Sequence, residues 1–447
     1  MTTKSILLPG IFITAVLFLS TATASAQQTT KHLGLDEALA ATLKNNKAVE
    51  LAMLDEKIAA ASYKETEAIF FPQVGLSYSA LGTNNPLNAF GFKLQQKSIA
   101  QNDFDPAKLN DPSATSDFTT KLELQQPIIN FDMQYKRKAA AKQVDLYNYK
   151  TQRTKEYLEL EVNKAYLQLQ LAYDAADVLE DANKTAGAVY TFTNNHYKQG
   201  LIQKSDLLNV QLRVTTIETN IAKAKSNIQN ASDYLSLLMG VDSSLVYTVD
   251  KVQPETNEPA YSGKFNIPQN RADFIAMQRA IEASELMITA TKKSYLPRLN
   301  AFGSYQFNDA SPLGFGASAW MAGIQLTWDI FKGNKTKNSI STQKIQRDKL
   351  IEQLAQQKEQ SQLELNKAYH DLSDAQFDAR QQKAAIEQAA EALQILQNRY
   401  QQGLVNTTDV LMAATQVSQQ KFALAQAVYA ANVTKAWIQF LTSTKNK

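Results

Sequence analysis

HYKQGLIQKSDLL runs from His196 to Leu208, and RYQQGLVNTTDVL runs from Arg399 to Leu411, 203 positions later. Tyr197 answers to Tyr400, Gln199 to Gln402, Gly200 to Gly403, Leu201 to Leu404, Asp206 to Asp409 and Leu208 to Leu411. A repeat of such long period marks two copies of one structural unit, and it governs how every flanking segment is read.

Upstream of each phrase lies a long stretch without helix breakers. From Met133 to Tyr197 there is no proline and a single glycine, Gly187, and from Asn334 to Tyr400 there is neither. Both stretches are rich in Ala, Gln, Leu, Lys and Glu, which favour helix. At 1.5 Å per residue, about 65 residues make a rod of about 100 Å. A coiled-coil-like assembly needs such a rod, and the many alanines permit close helix approach. Each phrase is then a tight turn at the far end of a rod. Gly200 and Gly403 suit a left-handed position after the helix. Ser205-Asp206 and Thr408-Asp409 suit the start of a shorter return helix.

Further upstream the period drops from 3.6 to 2. After Pro72, QVGLSYSA sets Val74, Leu76, Tyr78 and Ala80 against Gln73, Gly75, Ser77 and Ser79. FTTKLELQQ sets Phe118, Leu122 and Leu124, with Thr120, against Thr119, Lys121, Glu123 and Gln125. In the second copy LNAFGSYQF groups Leu299, Ala301, Tyr305 and Phe307. WMAGIQLTWDI sets Trp320, Ala322, Ile324, Leu326, Trp328 and Ile330 against Met321, Gln325, Thr327 and Asp329. These are four strands of about ten residues in two hairpins, the length and patterning of transmembrane barrel strands. A half-buried sheet on a soluble core shows the same alternation, but these strands are flanked by very long helices and not by a second sheet. Four strands cannot close a barrel, and open edges in lipid cost several kcal/mol per unpaired group. Spanning strands therefore require neighbouring chains to complete the barrel.

Before each hairpin, LGLDEALAATLKNNKAVELAMLDEKIAAASYKETEAIFF and NRADFIAMQRAIEASELMITATKKSYL read as helical segments stopped by Pro72 and Pro297. The N-terminus reads as a secretory signal: Lys4, the apolar run Ile6–Leu19, and an A-x-A site at Ala24-Ser25-Ala26. A spanning anchor would need about 20 apolar residues. The chain divides into a signal peptide at 1–26, a first repeat at 27–240, a Pro-bearing linker at 241–270, and a second repeat at 271–447.

Composition narrows the function. Basic and acidic residues number 46 and 43, a near balance that argues against a nucleic-acid partner. There is no cysteine, which rules out disulfides, thiolate metal sites and a lipid on an N-terminal cysteine. Three scattered histidines make a metal site unexpected, and no cofactor is indicated. There is no phosphate loop, nucleophile elbow or H-E-x-x-H. The carboxylates sit on helices among lysines as a solvated face would, so no enzyme is expected.

Taken in order and twice over, LDEALAATLKNN, the helix-to-strand steps FFPQVGLSYS and YLPRLNAFGSY, the strand exits QQPIINFD and WDIFKGNKTKNS, and the phrases YKQGLIQKSDLL and YQQGLVNTTDVL resemble the TolC-like outer membrane efflux protein family. The resemblance spans the mature chain. It implies a homotrimer with a 12-stranded β-barrel in outer membrane lipid and an α-helical tunnel across the periplasm. It also implies passive export for an inner-membrane pump or ABC secretion transporter, coupled by a periplasmic adaptor (a membrane fusion protein). By position it assigns Tyr197, Gly200, Leu201, Tyr400, Gly403 and Leu404 to adaptor docking, and Asp206, Tyr400 and Asp409 to a periplasmic gate. A Tyr400–Asp206 link would hold the gate closed, and three copies of Asp409 would make a negative ring. Where some members carry a basic residue and a second aspartate, this chain has Val405 and Met412. The first hairpin is also longer than the second, 50 positions from Pro72 to Leu122 against 27 from Pro297 to Ile324. The extra residues read equally as an external lid or as an inert solvated insertion. The competing architecture is a pore-less periplasmic or surface coiled-coil scaffold, which accounts for the rods but not for the paired hairpins. The cargo, whether drug, metal or protein, is not written in the sequence.

Overall fold

The computed structural model describes residues 30–242, 245–251 and 265–444. The signal peptide and the prolines Pro254 and Pro259 lie outside the described residues. The described chain begins with β1 (Thr30–His32), α1 (Leu35–Asn45) and α2 (Lys47–Glu65), the last ending in a 3-10 turn at Thr66–Phe70. The first hairpin is β2 (Gln73–Thr83) and β3 (Thr115–Ile129), with α3 (Pro86–Gln95) and α4 (Pro106–Asn110) between them. Then come α5 (Phe131–Lys198), α6 (Lys204–Met239), β4 (Val246–Thr248) and α7 (Ala272–Lys293). The second hairpin is β5 (Arg298–Asp309) and β6 (Ala317–Thr327), followed by α8 (Lys335–Gln401) and α9 (Thr407–Thr442).

The opening helical segment is two helices where one was expected. The break falls at Asn46, whose backbone is extended. Its side-chain oxygen caps α2 by accepting from Ala48 N at 2.8 Å, and its amide donates to Leu238 O at 2.7 Å. Helix α6 ends at Gly240 in the left-handed conformation, where an added Cβ would stand 2.7 Å from Asn45 O. The linker contains β4, which pairs parallel with β1 at the start of the described chain.

At 68 and 67 residues, α5 and α8 are rods of about 100 Å. Alanines such as Ala165, Ala172 and Ala368 sit buried along them and let neighbouring helices approach. Two apolar cores form where the rods meet the shorter helices. One gathers Leu33, Val162, Leu169, Leu235 and Tyr247 around α1, α5 and α6, and the other gathers Phe274, Ile281, Leu365 and Leu441 around α7, α8 and α9. Next to the second core lies a buried charge network. Arg271 pairs with Asp273 at 2.7 Å, donates to Ser361 Oγ at 2.8 Å and reaches Leu441 O at 3.3 Å. Arg153 binds Glu156 at 2.9 Å and donates to Phe440 O and Ser443 Oγ, both at 3.0 Å. The two guanidinium groups thus meet the last carbonyls of α9, where positive charge is favoured.

The four long strands form one antiparallel sheet in the order β2-β3-β5-β6. The register sets Leu76 opposite Leu122, Leu122 opposite Tyr305, and Tyr305 opposite Trp320, an apolar row across the whole sheet. Tyr78, Leu124, Ile324 and Leu326 are exposed on the same face, and Phe307 shares it. Lys121, Glu123, Gln306 and Gln325 share the other face. Three residues assigned to the last strand, Trp328, Asp329 and Ile330, fall outside the sheet. β6 stops at Thr327, opposite Arg298, because Pro297 precedes β5 and has no N–H to extend the ladder. Trp328 instead donates its indole N–H to Tyr295 O at 2.9 Å, and Ile330 lies beyond the strand with it. Among the described residues no helix is long and apolar enough to cross a membrane.

Candidate functional site: the helical tips

The two repeated phrases are turns built alike. At the end of α5, Gly200 N donates to Tyr197 O and Leu201 N to His196 O, both at 2.9 Å. At the end of α8, Gly403 N donates to Tyr400 O at 3.0 Å and Leu404 N to Arg399 O at 2.9 Å. These are Schellman turns, in which the residue after the helix takes a left-handed conformation. Gly200 and Gly403 do so, with φ of 77° and 73°. Three residues into each return helix, an aspartate completes the turn. Asp206 accepts from Gln203 N at 3.3 Å and Asp409 accepts from Asn406 N at 3.1 Å, placing negative charge at the helix N-terminus. Leu201 and Leu404 are exposed at the apices, as is Tyr197.

The two tips pack into one end of the molecule. Val189 of α5, Val210 of α6 and Val410 of α9 form a small core, with Leu393, Leu396, Tyr400 and Val405 against it. Arg213 of α6 donates to Thr415 of α9 at 2.8 Å. Further along, Lys421 of α9 pairs with Asp181 of α5 at 3.0 Å, and its ammonium holds the Asp181 carboxyl below the usual carboxylate range.

Tyr400 stands at the centre of this arrangement, with different partners from those expected. Its hydroxyl lies 2.9 Å from Thr193 Oγ1 of α5 and 2.8 Å from Thr407 Oγ1 of α9. Its ring packs on Phe192 with centroids 4.7 Å apart. Asp206 is not in this group, because its carboxylate is turned to the start of its own helix. The Tyr400–Asp206 link is therefore not made within the chain. Thr193 and Thr407 were not picked out from the sequence. The only trace of them is that the repeat-related positions, Leu396 and Lys204, carry no hydroxyl. The tie thus belongs to one repeat only, and Tyr197, the counterpart of Tyr400, is left at the surface.

The arrangement of helices, hairpins and tips matches known proteins over most of its length. The family model for outer membrane efflux proteins matches residues 38–241 and 266–442. The cation efflux system protein CusC of Escherichia coli is 23% identical over 410 residues, 88% of this chain and 82% of CusC. The probable outer membrane lipoprotein SilC of Salmonella typhimurium is 20% identical over 386 residues, 83% of this chain and 77% of SilC. Crystal structures of CusC superpose with a TM-score of 0.76 at 17% identity, covering 92% of each chain. The CmeC outer membrane channel of Campylobacter jejuni gives 0.75 at 17% identity, over 91% of this chain and 85% of CmeC. VceC of Vibrio cholerae gives 0.73 at 17% identity, over 92% of this chain and 96% of VceC. The matched residues take in both hairpins, both rods and both tips, and so the chain belongs to the outer membrane efflux protein family, as a passive channel protein of the outer membrane whose helices form a tunnel into the periplasm and not as an enzyme.

Proposed function

We propose that this chain works as a homotrimer in a tripartite export system, of either the efflux or the type I secretion kind. A periplasmic adaptor would dock at the helical tips, and an inner-membrane pump or ABC transporter would supply the energy. One observation carries the trimer. The sheet is open at both edges, β2 and β6, while its apolar face is exposed along the whole width. In lipid those edges need partners, and three four-stranded sheets joined edge to edge make a closed barrel of twelve strands. The same joining places three helical sets side by side beneath the barrel, which suits a tunnel.

At its periplasmic end the tunnel would close at the tips. Leu201 and Leu404, exposed at the apices beside Gly200 and Gly403, form the surface open to an adaptor, with Tyr197 next to them. Tyr400 would hold the closed state through Thr193 and Thr407. Asp409 is exposed in the first turn of α9, and three copies about a narrow axis would favour cations. The curated relatives CusC are named for cation efflux, and a cation cargo here rests on those names. A tube of this kind conducts what its transporter delivers, so we assign cargo choice to the inner-membrane partner.

Extraction tests the reading. The chain should leave the outer membrane only with detergent, run as a trimer on unheated gels and as a monomer after boiling, and form ion-conducting channels in planar bilayers. Release by salt alone as a water-soluble, non-conducting species would support the scaffold architecture instead.

A further inference from the structure

The segment between β2 and β3 is folded: it carries α3, a 3-10 turn at Gln101–Phe104 and α4, and Lys93 of α3 pairs with Asp103 of the turn at 2.6 Å. Its position follows from what it touches. Gln96 Nε2 donates to Ser116 O at 2.8 Å and to Asp117 Oδ1 at 2.9 Å. Asn308 Nδ2 donates to Asp117 Oδ2 at 2.9 Å and to Thr119 Oγ1 at 2.7 Å, with Gln95 Oε1 at 3.4 Å. Thr119 pairs directly with Asn308, and Asn308 with Ala317, so these residues share one face of the sheet. It is the polar face, opposite the row of Leu122, Tyr305 and Trp320. Asp117 and Asn308 are only 1% exposed even in a single chain. Helix α3 also touches β6, at the far edge from β2. Helix α3 therefore lies across the polar face of the sheet, near the end remote from the long helices.

The two sides of α3 are unlike. Ala89, buried beside the insert's own Lys108 and Leu109, and Gln96, bonded to the sheet, are seven residues apart and share one side of the helix. Leu87 and Leu94 are also seven apart, about 160° round the helix from that side. They are 81% and 54% exposed. A helix that anchors its amide on the sheet, packs its alanine within the insert and leaves its leucines exposed has an apolar face in need of cover.

Size indicates what covers it. Twelve strands about 4.8 Å apart and tilted by about 40° close a ring of backbone radius about 12 Å. Three helices about 10 Å across, in mutual contact, need a circle of about 11 Å radius. Because the ring radius is measured at the backbone and inward side chains narrow the bore further, three copies of α3 on the inner wall would have no room to stand clear of one another, and their exposed leucines would meet. We propose that three copies of α3 meet on the barrel axis through Leu87 and Leu94 and form an apolar seal at the extracellular mouth. The proposal rests on the trimeric-barrel reading above. Such a seal keeps out water and external solutes, as hydrophobic constrictions do, and it is separate from any closure at the helical tips.

The chain has no cysteine, so each one introduced is the sole thiol. Under oxidation in outer membranes, Leu87→Cys or Leu94→Cys should give covalent dimers. Tyr305→Cys, on the lipid face of an inner strand, should give none. Met321→Cys, deeper on the polar face, reports entry from outside. A membrane-impermeant maleimide added to intact cells should label it slowly in the full chain. Labelling should be at least tenfold faster when residues 86–111 are replaced by a short turn. The milder Gln95→Ala/Gln96→Ala pair, which keeps the helix and removes its seat, should fall between. No dimers from either leucine, together with equal Met321→Cys labelling in all three backgrounds of an assembled trimer, would overturn the seal while leaving the channel intact. Absence of any trimer on unheated gels would instead overturn the barrel reading, and the seal with it.

Discussion

Tyr400 shows what a repeat hides. Two copies of one phrase place a tyrosine at each tip, yet only Tyr400 has hydroxyls within reach, at Thr193 and Thr407. Thr193 is fully buried, so removing the tyrosine hydroxyl leaves a polar group without its partner there. Tyr400→Phe should cost about 1–3 kcal/mol locally, and it frees α8 from α5 and α9 at the tip. In planar bilayers it should raise resting conductance, and amide exchange across 190–200 and 400–410 should quicken. Asp409→Asn should act differently: the amide oxygen can still accept from Asn406 N–H, so shape is kept while three charges would leave the proposed trimer. Cation selectivity and block by multivalent cations from the periplasmic side should weaken with little change in resting conductance. If both variants change conductance and selectivity alike, the tie and the charge are not separate devices.

At the scale of elements, the strands make the sharpest claim. Leu326 and Gln325 are neighbours on opposite faces of β6, paired with Leu299 and Asn300. Arginine at Leu326 should cost about 2–4 kcal/mol if that residue meets the middle of the bilayer, and trimer yield should drop. Arginine at Gln325 should be tolerated, and equal yields would contradict the assigned faces. The end of α9 gives a second test. Burial alone would raise the Asp273 carboxyl, but hydrogen bonding to Arg271 and the charges of Arg271 and Arg153 hold it below the usual carboxylate range. Its folded pKa is depressed, so its stabilising contribution is complete above the ordinary value of about 3.9 and is lost as pH falls below that. Asp273→Ala leaves two guanidinium groups without this partner and should cost about 3–5 kcal/mol. Thermal melts should show that loss at neutral pH and a much smaller difference from the parent in strong acid. Much at this scale was legible in the chain, because period-2 alternation and glycine-ended rods are local signals. What was not legible depends on distant contacts. The break at Asn46 is fixed by Leu238, 192 positions away. The end of β6 is fixed by Pro297 through its partner strand, and the inward fold of the insert is fixed by Asn308.

One chain leaves its sheet open at β2 and β6, and the proposed trimer locates the contact that would close it. Within a chain β2 and β6 are separated by β3 and β5. Three steps of about 4.8 Å put them about 14 Å apart, well beyond the Cα separation of about 7 Å that a disulfide tolerates. In the trimer β6 of one chain would lie beside β2 of the next. A cysteine in each strand would then form a bridge only between chains. Ser77 of β2 and Ala319, Met321 and Gln325 of β6 share the polar face, Ala319 and Met321 two residues apart and Gln325 four residues further on. Ser77→Cys combined in turn with cysteine at each of those three positions scans the register between neighbours. One combination, or two adjacent ones, should give a ladder of covalent dimer and trimer on reducing-agent-free gels after boiling, and the single variants should give monomer. Because each chain carries one thiol on either edge, a closed ring joins all three chains with no free end, and the trimer band should resist thiol labelling in denaturant. A ladder running past three chains would mean that the sheets join into an open ribbon. No cross-link from any of the three pairs, in protein still extracted from the outer membrane, would mean that β2 and β6 are covered by something other than each other.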